Sequence, residues 1–171
     1  MADKSYKLFL VDDDEMVLTS LENHLKNHSQ HRYELHKFPT GEAALEKMDI
    51  KPDIVILDYF LDSVDQNAKP GIEILKQMKQ IDSNLPVVML TKEDSIEIAT
   101  ETVRSGAYDY VIKNDTAYYK VQNNINNIVK AISLKHFVGL QKKYTWAVVI
   151  SLVLMIVYIT FFHGNLFPGA E

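Results

Sequence analysis

Apolar residues in this chain follow two rhythms and then, near the end, no rhythm at all. KLFLV (7–11), DIVILD (53–58) and VVMLT (87–91) are short unbroken runs, too brief for helices and suited to strands covered on both faces. YELHKF (33–38) alternates like a half-exposed strand, and YDYVIK (108–113) reads as a fifth strand. Between these lie helical spacings. EMVLTSLENHL carries Val17, Leu18, Leu21 and Leu25 on one face behind acidic residues, and Thr40 caps GEAALEKM. IEILKQMKQI makes a third helix, and SIEIATETVRSGA (95–107) a fourth that ends at Gly106. The order βαβαβαβαβ predicts an α/β fold, a five-stranded parallel sheet with helices on both faces and right-handed crossovers.

The third pattern begins after Asp115, read as a cap. TAYYKVQNNINNIVKAISLKHF places Tyr118, Val121, Ile125, Ile128, Val129 and Ile132 at helical intervals. Gly139 weakens this helix without breaking it, and no proline follows until Pro168. A long C-terminal helix is therefore expected to extend into WAVVISLVLMIVYITFF (146–162), which has no charge. At 1.5 Å per residue that segment spans about 26 Å, and Tyr144-Thr145 with Leu166-Phe167 bring it to the roughly 30 Å of a hydrocarbon core. Trp146, Tyr144 and Tyr158 suit interfacial positions, while Ser151 and Thr160 can satisfy their hydroxyls on the helix backbone. A buried helix of a soluble bundle would need a polar face, and none is visible.

Charge divides the chain at about the same place. Residues 1–114 hold 13 Lys and Arg against 21 Asp and Glu, whereas residues 115–171 hold 5 against 2. The acidic part argues against nucleic-acid binding, which depends on neutralising phosphates. Lys135, Lys142 and Lys143 precede the apolar segment and no Lys or Arg follows it, which places the N-terminal part in the cytoplasm by the positive-inside rule. MADKSYK does not read as a signal peptide, and the absence of cysteine removes disulfides and thiolate metal ligands from consideration.

In an open parallel sheet the carboxyl ends of the strands share one edge, where ligands bind. Strand one ends at Asp12 and Asp13, strand three at Asp58, strand four at Thr91 and strand five at Lys113. Taken singly, each has a bland explanation: a helix cap, a turn residue, a solvated charge. Together, three carboxylates would repel one another without a cation, and hard oxygen ligands with open positions suit Mg²⁺. A lone carboxylate can also attack phosphorus to form an acyl phosphate. Asp14 reads as a cap or first-turn acid.

FLVDDD, VILDYFL, VVMLT and DYVIK, in this order and over roughly residues 5–135, resemble the receiver domain of bacterial two-component response regulators. The resemblance implies a flavodoxin-like, doubly wound (βα)5 fold. It implies that Asp58 is the phosphoacceptor, that Asp12, Asp13 and Asp58 with the Phe60 backbone carbonyl hold Mg²⁺, that Lys113 contacts the phosphoryl group, that Thr91 is the switch hydroxyl and that Tyr110 is the aromatic rotamer switch. The implied partner is a histidine kinase or phosphotransfer protein. The implied output is a changed face of helix four, strand five and helix five, met by a second copy or by a membrane protein.

Three departures from the family pattern bear on kinetics. Lys92 stands where a small residue usually follows the switch hydroxyl, so slower reaction with small phosphodonors is expected; equal rates for the native chain and Lys92→Ala would sink that idea. Asn114 replaces the proline that normally follows the lysine through a cis bond, so its peptide is either trans in a reshaped loop or strained. The polar loop LDSVDQNAKPG between Asp58 and Gly71 is longer than usual. The expected organisation is a receiver domain at 5–135, a basic juxtamembrane stretch at 136–145, a transmembrane helix at 146–162 and a short extracytoplasmic tail at 163–171. That describes a single-pass protein of the bacterial inner membrane, bound to lipid, with no output domain of its own. It is a phosphoacceptor and not an enzyme, beyond assisting its own phosphotransfer and autodephosphorylation. The rival is a receiver-like docking subunit of a membrane assembly that never carries phosphate.

Overall fold

The computed structural model describes residues 5–61 and 68–166, with backbone alone at 135–143 and 162–166. Most of the long polar loop (62–67), the side chains of Lys135, Lys142 and Lys143, and the last residues (167–171) lie outside the described residues. The chain divides into two compact units, Met1–Ile128 and Val129–Glu171.

In the first unit, strands β1 (Ser5–Val11), β2 (Arg32–Phe38), β3 (Ile54–Asp58), β4 (Val87–Thr91) and β5 (Asp109–Ile112) form one sheet in the order β2-β1-β3-β4-β5. All pairings are parallel. Every residue of β3 and β4 is buried, as their unbroken apolar runs predict for central strands. β2 lies at an edge, its residues exposed or half-exposed except for buried Phe38, in keeping with its mixed sequence.

Helices α1 (Glu15–His28), α2 (Gly41–Glu46), α3 (Gly71–Ile81) and α4 (Ile96–Arg104) alternate with the strands, and α5 (Ala117–Leu166) follows β5. On one side of the sheet, Phe9, Val11, Val55, Leu57, Val87 and Met89 pack with Ala44 of α2 and Ile72, Leu75 and Met78 of α3. The alternating residues Leu8, Leu10, Ile54, Ile56, Val88 and Leu90 point to the other side by the pleat of the strands and are equally buried. Leu18, Leu21 and Leu25 of α1 and Val121, Ile125 and Ile128 of α5 are buried too.

Local signals held at most helix ends. The Asp14 carboxylate accepts from the Met16 and Val17 N–H groups and caps α1, and the Thr40 hydroxyl accepts from Ala43 N–H and caps α2. Gly106 takes φ +89° just beyond α4, a conformation in which a side chain would be strained. Two expectations need correction. GEAALEKM is not one helix: α2 stops at Glu46, and a separate 3₁₀ turn covers Met48–Ile50. Asp115 does not cap α5. Asn114 supplies that turn, its side-chain oxygen accepting from the Thr116 N–H and hydroxyl and its carbonyl from Ala117 N–H.

The helix assignment of α5 runs from Ala117 to Leu166 without a break at Gly139. In the second unit, the side chains from Tyr144 to Phe161 are exposed throughout, although nearly all are apolar.

Candidate acidic site at the carboxyl edge of the sheet

Because β1, β3, β4 and β5 run parallel, their carboxyl ends deliver Asp12, Asp58, Thr91 and Lys113 to one edge, as the pattern of strand ends predicted. Register brings Asp58 beside Leu90 and Thr91 beside Ile112, and the Lys113 N–H donates to the Thr91 carbonyl at 2.7 Å. Asp12, Asp58 and Thr91 are buried, and Asp13 is half-buried.

The Lys113 ammonium ties the cluster together. It donates to Asp12 Oδ2 at 2.6 Å and to Asp58 Oδ2 at 2.7 Å. Asp12 Oδ1 accepts from the Asp14 N–H at 3.1 Å. Asp58 Oδ1 is buried without a hydrogen-bond partner. Orphaned buried carboxylate oxygens are costly, and a cation or a donor would satisfy this one. Ligand oxygens of Asp12, Asp13 and Asp58 all lie within 4.8 Å of one another. Three hard carboxylate donors at that spacing fit a small divalent cation.

Charge balance explains the titration of the cluster. A single ammonium cannot neutralise Asp12 and Asp58 together, with Asp13 adjacent. Burial, then the negative charge of Asp12, pushes the Asp58 carboxyl up from 3.8 to about 6. Lys113 opposes this rise, as does the Phe60 backbone N–H. Asp12 is raised for the same first reason, burial. Burial works against the charged form of Lys113, but Asp58 and Asp12 outweigh it and hold the ammonium more firmly protonated than usual.

Thr91 and Tyr110 lie at the rim of the cluster. The Thr91 hydroxyl accepts from the Glu93 N–H at 3.2 Å and keeps its own proton to donate. The Tyr110 hydroxyl donates to the Glu93 carbonyl, so both residues are joined to the same loop after β4. Lys92, in that loop, is exposed. Among the described residues every peptide bond is trans, including Lys113–Asn114, which selects the reshaped turn over the strained one. Sequence reading missed Tyr59, whose hydroxyl donates to Glu101 of α4 at 3.3 Å while Lys76 of α3 reaches the same carboxylate at 3.4 Å. Glu101 lies 42 residues from Tyr59, so no local spacing announces the pair.

A doubly wound five-stranded parallel sheet with a buried aspartate–lysine cluster at its carboxyl edge is the architecture of receiver proteins, and the family model of the response regulator receiver domain matches residues 8–119. The chain belongs to that family. It is 33% identical over 108 residues to the regulatory protein AtoC of Escherichia coli (strain K12), covering 63% of this chain and 22% of that protein. It is 34% identical over 108 residues to the alkaline phosphatase synthesis transcriptional regulatory protein PhoP of Bacillus subtilis (strain 168), covering 63% of this chain and 42% of that one. The chain thus spans less than half the length of these relatives. Among solved structures, the signal receiver domain of a putative LuxO repressor protein from Vibrio parahaemolyticus superposes with a TM-score of 0.67 at 21% identity, covering 79% of this chain and 98% of that one, a likeness of fold alone. A putative response regulator from Chloroflexus aurantiacus J-10-fl gives a TM-score of 0.60 at 29% identity, covering 72% of this chain and 99% of that one. Receiver domains are signalling domains of two-component systems: they accept phosphoryl groups from histidine kinases or phosphotransfer proteins and bind Mg²⁺ at an acidic pocket.

Proposed function

We propose that this chain is a membrane-anchored receiver that accepts a phosphoryl group on Asp58 and signals by changing its protein contacts. The observation that carries the chemistry is the Asp58 carboxylate itself, buried, held on Oδ2 by Lys113 at 2.7 Å and left without a partner on Oδ1. In the transfer, a carboxylate oxygen of Asp58 bonds to phosphorus as the P–N bond of a phosphohistidine breaks, and the electron pair returns to the imidazole. Lys113 offers a fixed ammonium beside both the attacked phosphoryl and the acid pair. Asp12, Asp13 and Asp58, with the Phe60 carbonyl, would hold Mg²⁺, which when bound supplies the positive charge that three carboxylates and a phosphoryl group require.

The aspartyl phosphate places new acceptor oxygens within the cluster. Thr91 turns its hydroxyl proton to them and draws the loop after β4 inward, and Tyr110 leaves the Glu93 carbonyl as that loop moves. The surface formed by α4, β5 and the start of α5 thereby changes, for a second copy or a membrane protein to read. Water attack on phosphorus later returns free phosphate and resets the site.

Support for the anchor comes from the second unit. Its apolar side chains from Tyr144 to Phe161 are exposed and the helix is long enough to cross a bilayer. With the lysines on its N-terminal side, the receiver lies on the cytoplasmic side of the bacterial inner membrane.

Intact mass of the full chain in detergent, after exposure to Mg²⁺ with acetyl phosphate or a phosphorylated histidine kinase, tests the phosphoacceptor. One added phosphoryl group is expected, absent in Asp58→Asn and in the presence of a chelator. No adduct from either donor would replace this reading with that of a docking subunit.

A further inference from the structure

We propose that Gly71, the first residue of α3, is a positioning residue for Asp58; the inference rests on Asp58 being the phosphoacceptor. The peptide group linking Asp58 to Tyr59 is boxed on several sides. Tyr59 N–H donates to the Leu90 carbonyl of β4 at 2.8 Å, and the Tyr59 carbonyl accepts from the Gly71 N–H at 2.9 Å. The Asp58 carbonyl, in turn, rests against the Gly71 Cα, so closely that a Cβ there would lie 1.9 Å from the Asp58 oxygen and 3.0 Å from the Tyr59 Cα.

No rotamer relieves such a contact, because both parties are backbone. With any other residue at 71, α3 or the end of β3 retreats by about 1 Å, and the carboxylate two bonds away moves with its backbone. Asp58 has little freedom to compensate, since Oδ2 must stay on Lys113 and the chain on either side is held by β4 and by the core around Leu57. Gly71 is also where the long loop after Phe60 returns to the sheet. The described end of that loop is pinned next to the reacting residue by Gly71, and its Lys69 N–H is separately held by the Glu42 carboxylate of α2 at 3.0 Å.

Gly41 provides a built-in control. It opens α2 as Gly71 opens α3, and a Cβ on it would meet Ile74 Cγ1 at 2.3 Å. This neighbour is a flexible side chain of α3 and not the backbone of the site, so Gly41→Ala disturbs packing that Ile74 can relieve by changing rotamer while the Asp58 carbonyl keeps its seat.

The test compares full-length Gly71→Ala and Gly41→Ala in detergent by Tm, Mg²⁺ affinity and rate of phosphorylation by acetyl phosphate. Gly71→Ala is expected to lose on the order of 100-fold in phosphorylation rate, with Mg²⁺ binding weakened, whereas Gly41→Ala loses Tm and keeps both within about twofold. Parallel losses in the two variants, or a normal rate in Gly71→Ala, would overturn the proposal. Should Gly71→Ala not fold, amide exchange in the native protein decides: Mg²⁺ should slow exchange at the Gly71 N–H and leave the Gly41 N–H unchanged, and equal responses would refute the link. A native chain that takes no phosphoryl group would defeat the phosphoacceptor reading instead, a result distinct from any failure of Gly71.

Discussion

Two apolar stretches of this chain meet opposite fates. Ile54, Val55, Ile56 and Leu57 in β3 are at most 1% exposed, whereas Ile150, Leu152, Val153, Leu154 and Ile156 in α5 are at least half exposed. Hydrophobicity is similar in the two; what differs is the hydrogen bonding of their backbones. A strand leaves its peptide groups to neighbours and therefore needs a sheet around it, which the five parallel strands provide. A helix satisfies its own peptide groups, so an apolar helix can present side chains all round to a nonpolar solvent. The same residue types thus hold an α/β core together in one unit and form a candidate membrane span in the other.

The sharpest way to break the comparison is to make one substitution in both places. Ile56→Ala leaves a cavity in the sheet and should cost about 2–5 kcal/mol in urea unfolding, while Ile156→Ala should leave the unfolding of the receiver unit within about 0.5 kcal/mol of native. Equal effects would mean that the segment of α5 around Ile156 packs into a folded core as well.

A charge in the apolar helix reverses the roles. Leu154→Lys, at the centre of the span, should weaken membrane insertion by about 2.5–3.5 kcal/mol, shifting protein from the alkaline-washed membrane pellet to the supernatant. The fold of the receiver unit should be untouched by circular dichroism. Unchanged pelleting would argue that α5 associates with protein and not with lipid.

Burial of Asp58, and then its crowding by Asp12, predict a pH dependence in the first unit. Without a divalent ion, Asp58 binds its proton more tightly folded, near pH 6, than at the ordinary 3.8 of the unfolded chain. Between those values the folded state holds the extra proton, so stability falls as pH rises, by up to about 3 kcal/mol. Mg²⁺ should offset most of that loss at pH 7 and little of it at pH 4, and Asp58→Asn should flatten the curve. Urea titrations with Mg²⁺ or EDTA at the two pH values measure this; a metal-free protein that gains stability over this range would contradict the proposed crowding. The smallest expected effect is local: Asp14→Ala removes the α1 cap and should lower stability by about 1 kcal/mol with phosphorylation retained.

Much of the fold was legible in the sequence because its elements obey their periods without conflict. Continuous apolar runs announced β3 and β4, and VVMLT matches β4 residue for residue. The polar residues at successive strand ends were legible for a topological reason, since parallel strands bring their carboxyl ends to one edge. Errors fell at junctions: at Asn114–Thr116 neighbouring polar side chains compete to close the turn, and at Met48–Ile50 a backbone turn closes with no side-chain cap, the Lys51 N–H bonding the Met48 carbonyl.

By itself, then, the sequence determined the alternation of strands and helices, the acidic and basic residues that reach the carboxyl edge, and an uncharged helix of bilayer length, because periodicity and composition are local properties. Only the tertiary structure decided how the charges are shared. It placed Lys113 on Asp12 and Asp58, left Asp58 Oδ1 unpaired, and seated the Asp58 carbonyl against the glycine that opens α3. Those contacts join residues as many as 101 positions apart, and they exist only once the sheet has brought the strand ends to within hydrogen-bonding distance.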